Sequence, residues 1–216
     1  MPIPILFENS DVVAVDKPEG LTSIPGSEKG NDTLLALVSQ QYPEKLFVVH
    51  RLDKDVSGVM LFAKNAAAHK CLNDQFSGRT VKKTYLALVH GVVEKSDGSI
   101  HKPIRQFGSG RMGVDEVRGK PSTTDFAVVE RFPAYTLVKA LPATGRRHQI
   151  RVHFYSIGHP IVGDSRYGDK EKARPFPRMM LHARSITFRL PTGEETTVES
   201  PLPESFASVL LSVRTA

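Results

Sequence analysis

The sequence predicts an α+β fold built on a mostly antiparallel mixed sheet with flanking helices. Three observations carry this reading. Apolar, β-branched segments outnumber segments with helical periodicity, and most are joined by hairpin-length turns. The 216 residues, 40% hydrophobic and 24% charged, suffice for one large domain or two lobes that share a core, and are too few for a string of modules. No repeat, low-complexity tract or glycine-serine linker divides the chain, so any lobes are set apart by loops within one packed unit.

Residues 11–16 (DVVAVD) read as a strand, ended by the turn Lys17-Pro18-Glu19-Gly20. Residues 33–41 read as a short helix capped by Asp32, because Leu34, Leu37 and Val38 fall on one face. Residues 47–50 and 59–63 are strand-like and enclose the polar stretch 51–58. A helix follows over 65–77, with Asn65 at its N-cap and Gly78 just past its end, where a positive φ is favoured. Residues 81–89 form a long strand. Residues 96–122 are rich in Gly, Lys and Arg without apolar periodicity, and read as a protruding hairpin or mobile loop. Residues 124–131 and 135–141 pair as strands, and 144–157 form a helix closed by Gly158. Residues 179–190 and 195–199 return to strand, and 203–213 form a terminal helix.

Lys and Arg number 29 against 23 Asp and Glu, a formal net charge of +6, which favours polyanionic partners. Basic residues crowd the region 139–189, so one face should be strongly positive. The longest apolar stretches, such as 56–63, fall far short of the roughly 18 residues a membrane span needs. Residues 1–9 lack the basic and apolar regions of a secretion signal. Cys71 stands alone, which excludes an internal disulfide and a cysteine-based zinc site and fits a reducing, cytoplasmic setting. It reads as a small buried hydrophobe on the second helix.

Chemistry is narrowed by elimination. His148 and His153 lie about 140° apart on a helix, so they share no ligand face and no metal site is supported. No serine sits in a G-x-S-x-G elbow, and no Walker loop occurs. What remains is Asp53, beside Arg51 and between two apolar strands, where a carboxylate needs a cationic or hydrogen-bonding partner to stay charged. On composition alone it reads as a turn-capping or ion-paired aspartate.

The motifs around it change that reading. His50-Arg51-Leu52-Asp53-Lys54-Asp55-Val56-Ser57-Gly58 closely resembles the H-R-L-D-x-x-T-S-G signature of pseudouridine synthases, in the group typified by ribosomal large subunit pseudouridine synthase A. Lys17-Pro18-Glu19-Gly20-Leu21 resembles the family's K-P-x-G-L turn, and Lys83-Thr84-Tyr85-Leu86-Ala87 its K-x-Y-x-A strand. The stretch 144–153 matches T-G-R-x-H-Q-I-R-V-H, and 158–164 (GHPIVGD) and 181–183 (LHA) follow in the family's order. The departure inside the central signature is Val56, where the family usually has Thr.

The resemblance implies a single catalytic domain over 1–216, made of two lobes with a central cleft and without a separate N-terminal RNA-binding domain. It implies cofactor-free isomerisation of uridine in RNA: the N1 glycosidic bond breaks, the uracil rotates, and C5 rejoins C1′. One carboxylate suffices, since it can attack C1′, add to C6 or remove the C2′ proton. By the same resemblance Asp53 is catalytic, Arg151 is its ionic partner, and Tyr85 lies against the base. Ile150 would line the uracil pocket, and Arg51 would occupy the space the flipped base leaves. His50 more readily braces the loop than moves protons, and Asp55 and Ser57 shape it.

Lys82, Lys83, Arg146, Arg147 and Arg105, with Arg111 on the 96–122 segment, are the expected phosphate contacts. The expected partner is a transfer RNA anticodon stem-loop or a ribosomal RNA hairpin, bound by a monomer. Two rivals share the residues: an RNA-binding protein that keeps the fold without the reaction, and a nucleoside hydrolase that uses Asp53 on small molecules. The basic surface argues against the second.

Overall fold

In the computed structural model, which describes residues 2–25 and 33–214, the strands are β1 (Ile5–Glu8), β2 (Val12–Lys17), β3 (Phe47–Val48), β4 (Ser57–Ala63), β5 (Lys82–His90), β6 (Asp97–His101), β7 (Ile104–Gln106), β8 (Met112–Val114), β9 (Thr123–Arg131), β10 (Tyr135–Pro142), β11 (Leu181–Arg189) and β12 (Glu195–Glu199). The helices are α1 (Leu34–Ser39), α2 (Ala66–Ser77), α3 (Gln149–Ser156), α4 (Lys170–Ala173) and α5 (Glu204–Arg214). The chain divides into two compact units, one of Met1–Lys83 with Ala183–Pro201 and one of Thr84–His182 with Leu202–Ala216.

In the first unit β2 lies antiparallel to both β1 and β4. Val12, Val13, Ala14, Val15 and every residue of β4 are buried, which explains why neither strand shows the alternation of a half-exposed one. The sheet continues through β11 to β12, and the two-residue β3 adds to β4. At Gly58 a Cβ would fall on the Ala183 backbone carbonyl, and φ is +118°. Only glycine lets the strands approach this closely here. Leu72 of α2 packs with Leu61, Phe188 and Val198 in the core of this unit.

The predicted cap at Asn65 is present: its Oδ1 accepts the Ala68 N–H at 2.9 Å. The helix end differs from expectation. Gly78 has φ −75° and still donates its N–H to the Asp74 carbonyl, so the chain reversal falls one residue later on Arg79, at φ +58°. Thr33 caps α1 through its hydroxyl, which accepts the Ala36 N–H; the Asp32 cap lies outside the described residues. Cys71 is half-buried rather than buried, with the Gln75 amide 3.4 Å from its sulfur.

In the second unit the strand order is β5-β10-β9-β6, all antiparallel, with a bulge between Leu137 and Val138. α5 places Phe206, Val209 and Leu210 against Leu88, Leu137 and Met180. The 96–122 segment is an ordered part of this unit: β6 pairs with β9, and β7 and β8 form a hairpin whose Ile104 and Met112 pack on Val152 and Tyr167. Periodicity was invisible there because the strands are short and bury single residues. Neither the four-residue β1 nor α4 gave a sequence signal. Among the described residues no helix is long and apolar enough to cross a membrane.

The helix predicted over 144–157 begins only at Gln149. The Gln149 side chain takes the Thr144 hydroxyl at 2.6 Å and the Arg146 N–H at 3.0 Å, and its amide donates to the Thr123 carbonyl and Thr124 hydroxyl of β9. These bonds hold 144–148 as a turn, and His148 adopts φ +56°. His148 thus precedes the helix, and the separation of about 140° expected between it and His153 does not apply. Gly158 does close α3, at φ +86°.

Candidate active site

The first unit builds a loop around Asp53 from main-chain contacts. Lys17 is fully buried, and its ammonium donates to the carbonyls of Pro18 at 2.8 Å, Lys54 at 3.0 Å and Val56 at 2.7 Å. Such charge-assisted bonds are about twice as strong as neutral ones, and three of them satisfy an ammonium that would otherwise be costly to bury. On the other side the Ser23 hydroxyl donates to the Leu52 carbonyl at 2.7 Å and accepts the Leu52 N–H at 3.2 Å. The Val56 N–H returns to the Asp53 carbonyl at 3.1 Å, closing a turn. The loop thus presents a half-buried Asp53 between an exposed Arg51 and exposed Lys54. Val56 is itself buried, so the apolar side chain suits the place where the family usually has Thr.

His50 braces this loop. Its Nε2 accepts the Leu61 N–H at 2.9 Å, which puts the ring proton on Nδ1, and the ring stacks on Phe76 at 4.9 Å. Burial, with a smaller contribution from the Lys83 charge, pushes its pKa down from 6.5 to about 3. In the folded state the imidazole is neutral where the unfolded chain would be protonated. Stability on this account is full above pH 6.5 and falls as pH drops from there towards 3. His90 and His153 are lowered by burial in the same direction. A His50→Gln variant followed by urea denaturation is therefore expected to lose less stability than the parent over that range. An identical pH slope would show that His50 is not held neutral.

Lys82 and Lys83 close this unit on the start of β5. Lys82 is exposed, 3.9 Å from Glu195. Lys83 is half-buried, and desolvation lowers its ammonium below the ordinary lysine value. The two lysines therefore differ in exposure and in how readily they hold their charge.

The second unit holds Tyr85, Ile150 and Arg151. Tyr85 is half-buried on β5, opposite Ala140 of β10. Ile150 and Arg151 are buried on the first turn of α3. Arg151 forms a bidentate ion pair with Asp164, Nε to Oδ2 at 2.7 Å and Nη2 to Oδ1 at 2.9 Å, with both side chains almost fully buried. The same carboxylate accepts the N–H groups of Arg166 and Tyr167. The Tyr167 ring lies 5.0 Å from the Arg151 guanidinium, and its hydroxyl meets His148 Nδ1 at 2.7 Å and the Met112 N–H at 3.2 Å. Burial raises the Tyr167 pKa, which keeps it a neutral phenol.

Asp164 and Tyr167 are the residues the sequence reading left without a role. Asp164 stood in the quoted GHPIVGD stretch, which was the available signal. Arg146 is half-buried and Arg147 exposed, both on the turn before α3. Arg105 lies apart from them on β7, paired with Asp115 at 3.2 Å and stacked over Phe107 at 4.7 Å. His153, a metal candidate by type, spends both ring nitrogens on Thr124 and the Lys102 carbonyl.

A preorganised carboxylate loop and a buried arginine, each carried on a signature stretch, agree with the comparison to known families. The model of the RNA pseudouridylate synthase family matches residues 11–156. The chain belongs to the RNA pseudouridylate synthase family. Ribosomal large subunit pseudouridine synthase D of Nitrosomonas europaea is 40% identical over 228 residues, covering 99% of this chain and 66% of its own length. The dual-specificity RNA pseudouridine synthase RluA of Vibrio vulnificus is 41% identical over 195 residues, covering 87% of this chain and 78% of its own. The solved structure of human RNA pseudouridylate synthase domain containing 1 matches with a TM-score of 0.79 at 30% identity, over 99% of this chain and 95% of that one. This member of the pseudouridylate synthase family thus spans about two thirds of the length of the first of these relatives.

Proposed function

We propose that this chain isomerises uridine to pseudouridine in RNA, with Asp53 as the carboxylate that acts on the target nucleotide. The observation that supports the reading is the loop that holds Asp53: two carbonyl contacts from Lys17, to Lys54 and Val56, and two from Ser23 to Leu52 fix the main chain on either side of it. A catalytic carboxylate needs this preorganisation, whereas a solubilising aspartate does not. Arg151, oriented by Asp164, is the cation assigned to the reaction. Tyr85 is assigned to the base, Ile150 to the uracil pocket, and Arg51 to the space the base vacates. The substrate is a hairpin loop of ribosomal RNA or a transfer RNA anticodon stem-loop, acted on by a monomer in the cytoplasm. The names of the relatives, ribosomal large subunit synthases and a dual-specificity enzyme, support that choice. Mapping new pseudouridines in total RNA with and without the chain tests the activity and finds the substrate together; no new pseudouridine would leave only an RNA-binding protein of the same fold.

Two measurements divide the roles further. Tyr85→Phe keeps the ring for stacking, so RNA affinity is expected to hold while turnover falls, and Tyr85→Ala is expected to reduce both. Full activity of the phenylalanine variant would confine Tyr85 to stacking. For the basic surface, the slope of log affinity against log salt should become shallower by about 0.7 to 0.9 when Lys82 is replaced by alanine, and by less for the half-buried Lys83. An unchanged slope in the double variant would move the RNA path away from β5.

A further inference from the structure

A cavity of about 320 Å³ opens between the β7–β8 hairpin and α3, lined by Phe107, Arg111, Met112, Val152, Tyr155 and Tyr167 among others. Its volume falls in the range of about 300 to 1,000 Å³ typical of small-ligand sites. Two of its aromatic rings face water: Phe107 is 37% and Tyr155 49% exposed. The Arg111 guanidinium lies 5.7 Å from the Tyr155 ring and 5.2 Å from the Tyr167 ring. The hairpin tip is pinned, because Arg166 donates to the Gly110 carbonyl at 3.1 Å and the Phe107 N–H bonds to the Arg111 carbonyl at 2.9 Å.

The exposed charge on and beside the hairpin is mostly positive, with Glu116 the exposed acid of the 111–120 stretch. Arg111, Arg118, Lys120 and Arg166 are all exposed, while Asp115 is engaged by Arg105 and by the N–H groups of Val117 and Arg118. Flat apolar walls beside a stacked guanidinium suit a planar ring, and Arg111 on the lining and Arg166 at the hairpin tip suit an anion attached to it. A nucleotide combines the two, and in a stem-loop the rings free to enter are those that have left the stack.

We infer that this cavity receives one unpaired base of the bound RNA, distinct from the base presented to Asp53, with Arg111 and Arg166 meeting its flanking phosphates. The inference rests on RNA being the substrate. It assigns the hairpin a direct part in choosing the RNA, beyond the phosphate contacts expected of its arginines. Tyr167 is shared between this cavity and Arg151, so a base seated here lies one side chain away from the arginine assigned to the reaction.

The test measures binding of a fluorescein-labelled single-stranded oligouridylate, and of the same strand made abasic, in an Asp53→Asn background where no turnover intervenes. Phe107→Ala and Tyr155→Ala are each expected to weaken binding of the oligouridylate about tenfold and to leave the abasic strand unaffected. Ser109→Trp, which plugs the cavity without removing a wall, is expected to act in the same direction. In the Asp53 parent, KM for the mapped RNA should rise more than kcat falls. Unchanged affinity in all three variants would overturn the inference, as would no binding of oligouridylate by the unaltered chain. Equal competition by free uridine monophosphate would overturn the assignment to an RNA strand. Pseudouridine formation by the parent is scored separately. If it occurs while the cavity variants behave as the parent, the cavity inference alone fails; if it never occurs, the proposed activity fails whatever the binding shows.

Discussion

Asp53→Asn is expected to lower the rate of pseudouridine formation by about 10⁴-fold or more while RNA affinity stays within a few fold. The amide keeps the shape of the carboxylate and loses the nucleophile or base, and removal of a group that forms or breaks bonds in the transition state has effects of this size. The loop itself should survive, because its bonds run through the main chain of residues 52, 54 and 56 and through Lys17 and Ser23, not through an Asp53 oxygen alone. Single-turnover assays with the mapped RNA, beside a binding isotherm, check both halves. Appreciable turnover by the variant would remove Asp53 from the reaction, and a large loss of affinity would reassign it to binding.

The largest effect on stability is expected from Asp164→Ala. Arg151 and Asp164 are a buried bidentate pair, and deleting one partner strands the other charge, which costs about 3 to 5 kcal/mol. The alanine also leaves the N–H groups of Arg166 and Tyr167 without their acceptor. Asp164→Asn, which retains an acceptor, should lose less. The double variant Arg151→Met with Asp164→Leu should recover the part of the loss due to the stranded charge, though not the part due to the two N–H groups, and should not recover turnover if Arg151 serves the reaction. Urea denaturation and the single-turnover assay together separate the two contributions. A loss under about 1 kcal/mol for Asp164→Ala would show that the pair is solvated.

The Asp53 loop was legible because its signature is local: nine consecutive residues carry it, and the turn at Lys17 and the strand at Lys83 each carry a few more. Strands β2 and β4 were legible as well, since Val12–Val15 and Val59–Ala63 are apolar runs. What stayed hidden depends on partners remote in sequence. Nothing near Arg151 announces Asp164 thirteen residues on, and nothing in the turn Lys17-Pro18 announces that the lysine reaches the carbonyls of Lys54 and Val56. The start of α3 was placed too early for a related reason. The sequence 144–148 tolerates a helix, but the Gln149 side chain binds that turn to β9 and wins over local propensity. Segment 96–122 was legible only in part: the hairpin alternative matches β7–β8, but its short strands bury too few residues for their positions to emerge from composition.

Lys17 gives the Asp53 loop something that many loops obtain from a dissolved ion. Its ammonium sits in a cage that includes three carbonyl oxygens, the donor type that coordinates calcium and potassium elsewhere. This cation is tethered to the polypeptide and arrives with the fold. Its occupancy obeys no dissociation constant, a chelator cannot extract it, and competing monovalent ions have no vacant site to enter. The loop therefore keeps its shape through changes of ionic medium that weaken the exposed ion pairs on the surface around it.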